Sequence, residues 1–178
     1  MIDAVTGIDD AFINMSRIAT TSVGDVDSAL QNIRGSIYDV AGELGASATE
    51  LADSTTEFGK LGYDINDAFS LAQSASKYAT TGWLDLKDAT DALTGSYTVF
   101  GGQFDETIGK VVDANTIIDL FNATGNQMAI TSGDIGVALQ DCANSMKEAG
   151  NSLSDTVALV ATANKTVQDA SKIGKMIA

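Results

Sequence analysis

Carboxylates are the main reactive side chains this sequence supplies: 24 Asp and Glu stand against 10 Lys and Arg, with no histidine and one cysteine, Cys142. Without histidine the commonest general base and metal ligand is missing. One cysteine and no histidine exclude a zinc site and Cys/His nucleophilic catalysis. Paired carboxylates remain, and their chemistry would be glycoside cleavage across a scissile bond. Yet nearly all the Asp and Glu fall at helix starts or on polar helix faces, and nothing points to a cleft that holds a pair. Gly102 to Lys110, GQFDETIGK, superficially suggests a phosphate loop, but six residues rather than four separate its glycines, and Val111 stands where a Ser or Thr would hold magnesium. The run Asp85, Asp88, Asp91 lacks the alternating oxygen ligands, the glycine and the terminal Glu of a calcium loop, so helix capping explains it better. No catalytic, cofactor-binding or metal-binding residue is predicted, and no enzyme.

The elements that carry these carboxylates read as helices throughout. Thr131 or Ser132 caps a helix with Asp134 in its first turn, and Ile135, Leu139, Cys142 and Met146 fall on one face at spacings of three to four. Ala149-Gly150-Asn151 stops it, and Ser152 with Asp155 opens a second capped helix whose core face is Leu153, Val157, Val160 and Ala161. Cys142, on an apolar face, reads as a small buried hydrophobe.

Earlier in the chain, Val5, Ile8, Phe12, Met15 and Ala19 make one amphipathic helix with nothing evident to pack on, so a partner is expected for it. After Thr20 to Gly24, Val26, Leu30, Ile33, Ile37, Val40 or Ala41, and Leu44 form the cleanest seam, either a short coiled coil or a core helix of the same domain. Gly42 and Gly45 end that helix, and Ser47 with Glu50 form a capping box for the next, with Leu51, Phe58 and Leu61 inward and a loose end at Gly59 and Gly62. Asp64 and Asp67 start a helix with Ile65, Ala68, Ala72, Ala75 and Ala79 inward, where small side chains imply close approach. Asp85 and Asp88 begin another, with Leu86, Ala89, Leu93, Tyr97 and Phe100 inward and Trp83 as a hydrophobic staple ahead of the cap. From Asp105 a longer helix carries Ile108, Val111, Val112, Ile118 and Phe121 to Gly125-Asn126, and a last one runs from about Gln168 to the end. A weak repeat is present: Asp67 and Asp88 lie 21 residues apart, as do Asp134 and Asp155, with an offset of 67 that also pairs Gln73 with Gln140 and Leu86 with Leu153. It reads as two copies of one hairpin architecture, by duplication or because capped helices of similar length recur.

The expected fold is all-α, an array of short antiparallel helical hairpins with about eight or nine helices, divided into amphipathic N-terminal helices over 1–45 and a helical-hairpin core over 46–178 truncated at its C-terminus. The absence of proline, with 17 glycines as breaks and only 6% aromatics, suits uninterrupted helices. A net charge of −14 argues against a phosphate-neutralising surface, so no direct nucleic-acid binding is expected. Neither a signal peptide nor an apolar run of about 18 residues is visible, so no transmembrane segment is expected either.

Three stretches carry a family resemblance: ELGASATELADSTTEFGKLGYDINDAF from Glu43, TGWLDLKDATDALTGSYTVFG from Thr81, and NQMAITSGDIGVALQDCANSMKEAGNSLSDTVALVATANKTVQDASKIGKMI from Asn126. The ordered series LGAS, ELA, KLGY, DATDAL, ITSGDIGVAL, AGNSL and TAN, from about Leu30 to the end, resembles the core region of tail tape measure proteins of tailed bacteriophages and prophages. That resemblance implies a non-enzymatic structural protein, packed in a few copies inside the tail tube, whose length sets the tube's length. It implies self-association and contacts with tail tube, tail tip or baseplate proteins and tail assembly chaperones, with residence in the virion tail interior and in the host cytoplasm during assembly. The chain is far shorter than that family and lacks its long repetitive helical ruler, so it reads as an excised fragment or a truncated prophage remnant. Two other readings stand beside this one: an independent helical protein-binding module and a tail-associated cell-wall hydrolase domain.

Overall fold

A computed structural model describes residues 2–20 and 25–178, with the side chains from residue 7 onward. The expected interruption at Thr20 to Gly24 falls largely outside the described residues, and so does the side chain of Val5 in the first seam. Among the described residues the chain is all-α, with nine helices and one two-residue-per-strand hairpin. It forms two compact units, Met1–Lys77 and Tyr78–Ala178.

The first unit contains α1 (Ile2–Ile18), α2 (Val26–Leu44), α3 (Ala48–Lys60) and the residues up to Lys77 of α4 (Ile65–Gly82). Helix α1 finds its partner within the chain: Ile8, Phe12 and Met15 are buried, and α1 packs on α3 and α2. On α2 the buried stripe is Ala29, Ile33, Ile37 and Ala41. Val26, Leu30, Val40 and Leu44 flank it half-buried, which makes α2 a core helix of this unit. Gly42 lies inside α2 and does not end it; Gly45 does, because at φ +70° it takes the left-handed conformation that lets its amide and that of Ala46 turn back to the Ala41 carbonyl. The Ser47/Glu50 box forms as expected, both bonds at 3.1 Å. The end of α3 is tighter than expected, since Gly59 is helical, buried and pressed against the Ile18 side chain. Buried Thr55 and Thr56 satisfy their hydroxyls on the Leu51 and Ala52 carbonyls one turn back.

The second unit is built on α7 (Ser132–Glu148), which packs against α5 (Leu86–Phe100), α6 (Ala114–Gln127), α8 (Leu153–Val167) and α9 (Ala170–Ile177). The expected face of Ile135, Leu139, Cys142 and Met146 is buried, but so are Gly133, Gly136, Ala138 and Ala143 around the rest of the helix. Small residues on those other faces allow neighbouring backbones to approach closely. A Cβ at Gly136 would stand 2.7 Å from the Tyr78 hydroxyl, and one at Gly174 of α9 would stand 2.6 Å from the Ala138 carbonyl. Thr131 caps α7 through the Asp134 amide at 3.0 Å, and Ser152 and Asp155 form the predicted reciprocal cap of α8. Helix α9 begins at Ala170 rather than Gln168, because Gln168 takes the left-handed position closing α8 and Asp169 caps the new helix through the Lys172 amide at 2.9 Å.

The long helix expected from Asp105 does not form. Residues 104–111 fold instead into an antiparallel hairpin, β1 (Phe104–Asp105) paired with β2 (Lys110–Val111), and α6 starts only at Ala114 behind an Asp113 cap. Gly102 at φ +73° and Gly109 at φ +66° give the reversals that a helix lacks. The Gly109 amide closes the turn on the Asp105 carbonyl at 2.9 Å. Among the described residues, no helix is long and apolar enough to cross a membrane.

Candidate interaction surface

The carboxylates that first suggested chemistry are used as structure. Asp25, Asp85, Asp113 and Asp169 each accept a first-turn amide of the helix they precede, and Glu50 and Asp155 complete capping boxes. Among the described residues no group of three or more His, Cys, Asp or Glu is placed to hold a metal ion. The Asp53 carboxyl is raised above its ordinary value, first by partial burial and then by Glu57 and Glu50 on the same helix. Burial likewise raises the Cys142 thiol, which sits fully enclosed in α7. The Tyr78 phenol is raised by burial and by the Asp134 charge, and donates to the Ser132 carbonyl at 2.7 Å.

The most exposed large apolar side chains of the second unit are Trp83, Met176, Phe104 and Val111. The hairpin owes its orientation to Asp105, which is 2% exposed. One Asp105 oxygen accepts the Ser154 amide at 2.9 Å; the other accepts the Ser154 hydroxyl at 2.7 Å and the Thr107 amide at 3.0 Å. Burial by itself would raise this carboxyl, but the bonds from the Ser154 hydroxyl and amide and from the Thr107 and Ile108 amides outweigh it and hold the group below the usual range. Because successive strand residues face opposite ways, turning Asp105 inward turns Phe104 outward beside its cross-strand partner Val111. The two are 63% and 55% exposed, so Val111, expected in a helix core, forms half of a surface apolar pair instead. Gly102 just before this hairpin and Gly109 in its turn are the sequence signal that locates it.

Trp83 is not the hydrophobic staple expected ahead of α5: it is 89% exposed. It occupies the left-handed position at the C-terminus of α4, with φ +58°, while the Leu84 amide reaches back to the Ala79 carbonyl at 3.0 Å. That geometry is the helix-ending motif in which glycine is the usual residue. Gly82, just before it, lies so close to α7 that a Cβ would stand 3.0 Å from the Gly133 amide nitrogen. The backbone is thereby held, and the indole projects away from the core instead of folding onto α5.

In the first unit the corresponding surface lies between α1 and α2. The Arg34 guanidinium lies 4.5 Å from the Phe12 ring centroid and pairs with Asp9 at 2.8 Å. A shallow groove runs beside it along Ile13, Ser16, Leu30 and Gln31, and Tyr38 is 60% exposed further along α2. None of these arrangements brings an acid and a base to opposite sides of an enclosed cleft. They leave apolar and aromatic side chains exposed on a chain of net charge −14.

Comparison with known proteins gives one family: residues 34–178 match the model described as phage-related minor tail protein. No solved structure matches the chain.

Proposed function

The chain belongs to the phage-related minor tail protein family, and we propose that within the tail it acts as the core region of a tape measure protein. The family is one of structural tail components, and the role of this chain is structural. One observation carries the finer reading. The match from residue 34 to 178 contains the whole ordered series LGAS, ELA, KLGY, DATDAL, ITSGDIGVAL, AGNSL and TAN, which runs from the end of α2 to α8. On this reading the protein lies inside the tail tube with other copies of itself, meets tube, tip or baseplate proteins there, and is handled by assembly chaperones in the host cytoplasm beforehand. Its work is tail assembly and the setting of tail length, with no reaction catalysed.

The test is an in-frame deletion of residues 34–178 from the gene in its phage, with tails examined by electron microscopy. Absent tails, or tails of altered or uncontrolled length, are expected. Intact tails of unchanged length would overturn the proposal. Exposed Trp83 and the Phe104/Val111 pair favour a second reading, an independent helical protein-binding module. On that reading the deletion would leave tails of normal length and remove only the binding of a partner.

A further inference from the structure

We propose that the groove where α8 ends and α7 and α9 begin binds a guanidinium group, the arginine side chain of a partner protein. The groove is lined by Ile130 and Thr131 ahead of α7, Asp134 in its first turn, Asn164 and Gln168 at the end of α8, and Asp169 capping α9. Its volume of about 470 Å³ suits a side chain or small ligand and far exceeds a bare metal ion.

Asn164 points to the occupant. It is 7% exposed, and its Nδ2 donates to the Ala129 carbonyl at 2.6 Å. A carbonyl accepts only from the nitrogen end of a carboxamide, so that bond fixes the orientation of the group and turns Oδ1 the other way. Oδ1 accepts no hydrogen bond among the described residues, yet it is not sealed from the surface. Because Asn164 lines the groove, the groove is where that oxygen opens. A nearly buried acceptor without a donor is a cost that a ligand N–H removes.

The groups beside it select a cation. Asp134 is half-buried, and its carboxylate has no hydrogen-bond or ion-pair partner among the described residues. Asp169 spends one oxygen on the Lys172 amide at 2.9 Å and keeps the other. The ion pairs among the described residues, Asp9–Arg34, Glu57–Lys60 and Asp91–Lys87, all lie elsewhere, so neither groove carboxylate is neutralised by contact. The N-termini of α7 and α9 add about half a positive charge each and the C-terminus of α8 about half a negative one, which leaves the two carboxylates dominant. Phosphates and acidic segments are repelled. A guanidinium carries five N–H donors in a flat fork and no acceptor, and so serves more of these oxygens at once than the three donors of a lysine ammonium. The inference does not depend on the length-setting role.

The test is nuclear magnetic resonance on the isotope-labelled whole chain, whose Asn164 and Gln168 side-chain amides report on this groove. The protein is titrated at low salt with a short Gly/Ser peptide carrying one arginine, and with the same peptide carrying citrulline, a neutral urea of the same shape. Saturable shifts of both amides with the arginine peptide, and much smaller ones with the citrulline peptide, are expected. Asp134→Asn and Asp169→Asn, the second with an asparagine that still caps α9, should each weaken binding about twofold to fivefold, the range of an exposed ion pair, with thermal midpoints near that of the wild type. Equal shifts with the two peptides, no shift at Asn164, undiminished binding in both variants, or shifts with calcium chloride and none with the arginine peptide would each overturn the proposal.

Discussion

The carboxylate of Asp105 reaches a helix 49 residues further along the chain and takes both the amide and the hydroxyl of Ser154, at 2.9 and 2.7 Å. A hairpin tip and the first turn of α8 are thereby locked together. Asp105→Ala would leave those buried donors unsatisfied and should lower stability by about 1–3 kcal/mol, measured by denaturant titration. Asp105→Asn keeps one acceptor oxygen and should cost less. If Asp105→Ala leaves the unfolding midpoint unmoved, the bridge is not formed in solution.

The same residue sets a pH dependence. Its folded-state pKa lies below the ordinary 3.8, so its stabilisation is complete above that value and is lost as pH falls through the lower folded value. The gap in stability between wild type and Asp105→Asn should therefore be widest near neutral pH and close in acid. Asp53 has the opposite sign. Its folded pKa lies above 3.8, so its ionised form weakens the fold above that raised value, and the penalty vanishes as pH falls below 3.8. Asp53→Asn should then raise the thermal midpoint slightly at neutral pH and leave it unchanged in acid.

Trp83→Gly should stabilise the protein. Releasing a left-handed residue recovers about 1–2 kcal/mol, against roughly 0.5–1 kcal/mol for the added freedom of glycine in the unfolded chain. A net gain of about 0.5–1 kcal/mol, read as a higher thermal midpoint, is expected. A clear loss would mean that the indole packs onto the fold.

Helical glycines should divide into two groups on substitution by alanine. At Gly174 the new methyl would meet the backbone carbonyl of Ala138 at 2.6 Å, which cannot yield, and about 1–3 kcal/mol should be lost. At Gly35 and Gly42 of α2 nothing lies within 4 Å, so alanine should add about 0.5–1 kcal/mol through helix propensity. An unchanged or raised midpoint for Gly174→Ala would contradict the α7–α9 packing.

Much of this was legible from local pattern. The caps at Ser47/Glu50, Asp85, Thr131 and Ser152/Asp155 and the apolar faces of α2, α7 and α8 stand where the spacing placed them. Each depends on residues no more than one turn apart, so the sequence holds the whole interaction. The site was less legible. Trp83 drew notice as a staple, a local role, because its position next to a capped helix is visible in sequence while the left-handed turn that throws it outward is not.

By itself, then, the sequence determined the all-α class, the positions of most helix starts and the acidic charge, which arise from composition and short-range periodicity, while the family resemblance rests on an ordered series of motifs. Tertiary structure decided the rest. Ile108, Val111 and Val112 carry helical spacing, yet Gly102 and Gly109 take left-handed conformations, Asp105 bonds Ser154 of a distant helix, and the segment is a hairpin with Phe104 outward. Gly133 and Gly136 of α7 are contact points, because the packed neighbours Gly82, Tyr78 and Ala92 leave no room for a side chain there. Partners distant along the chain fix such choices, and a one-dimensional pattern does not contain their distances.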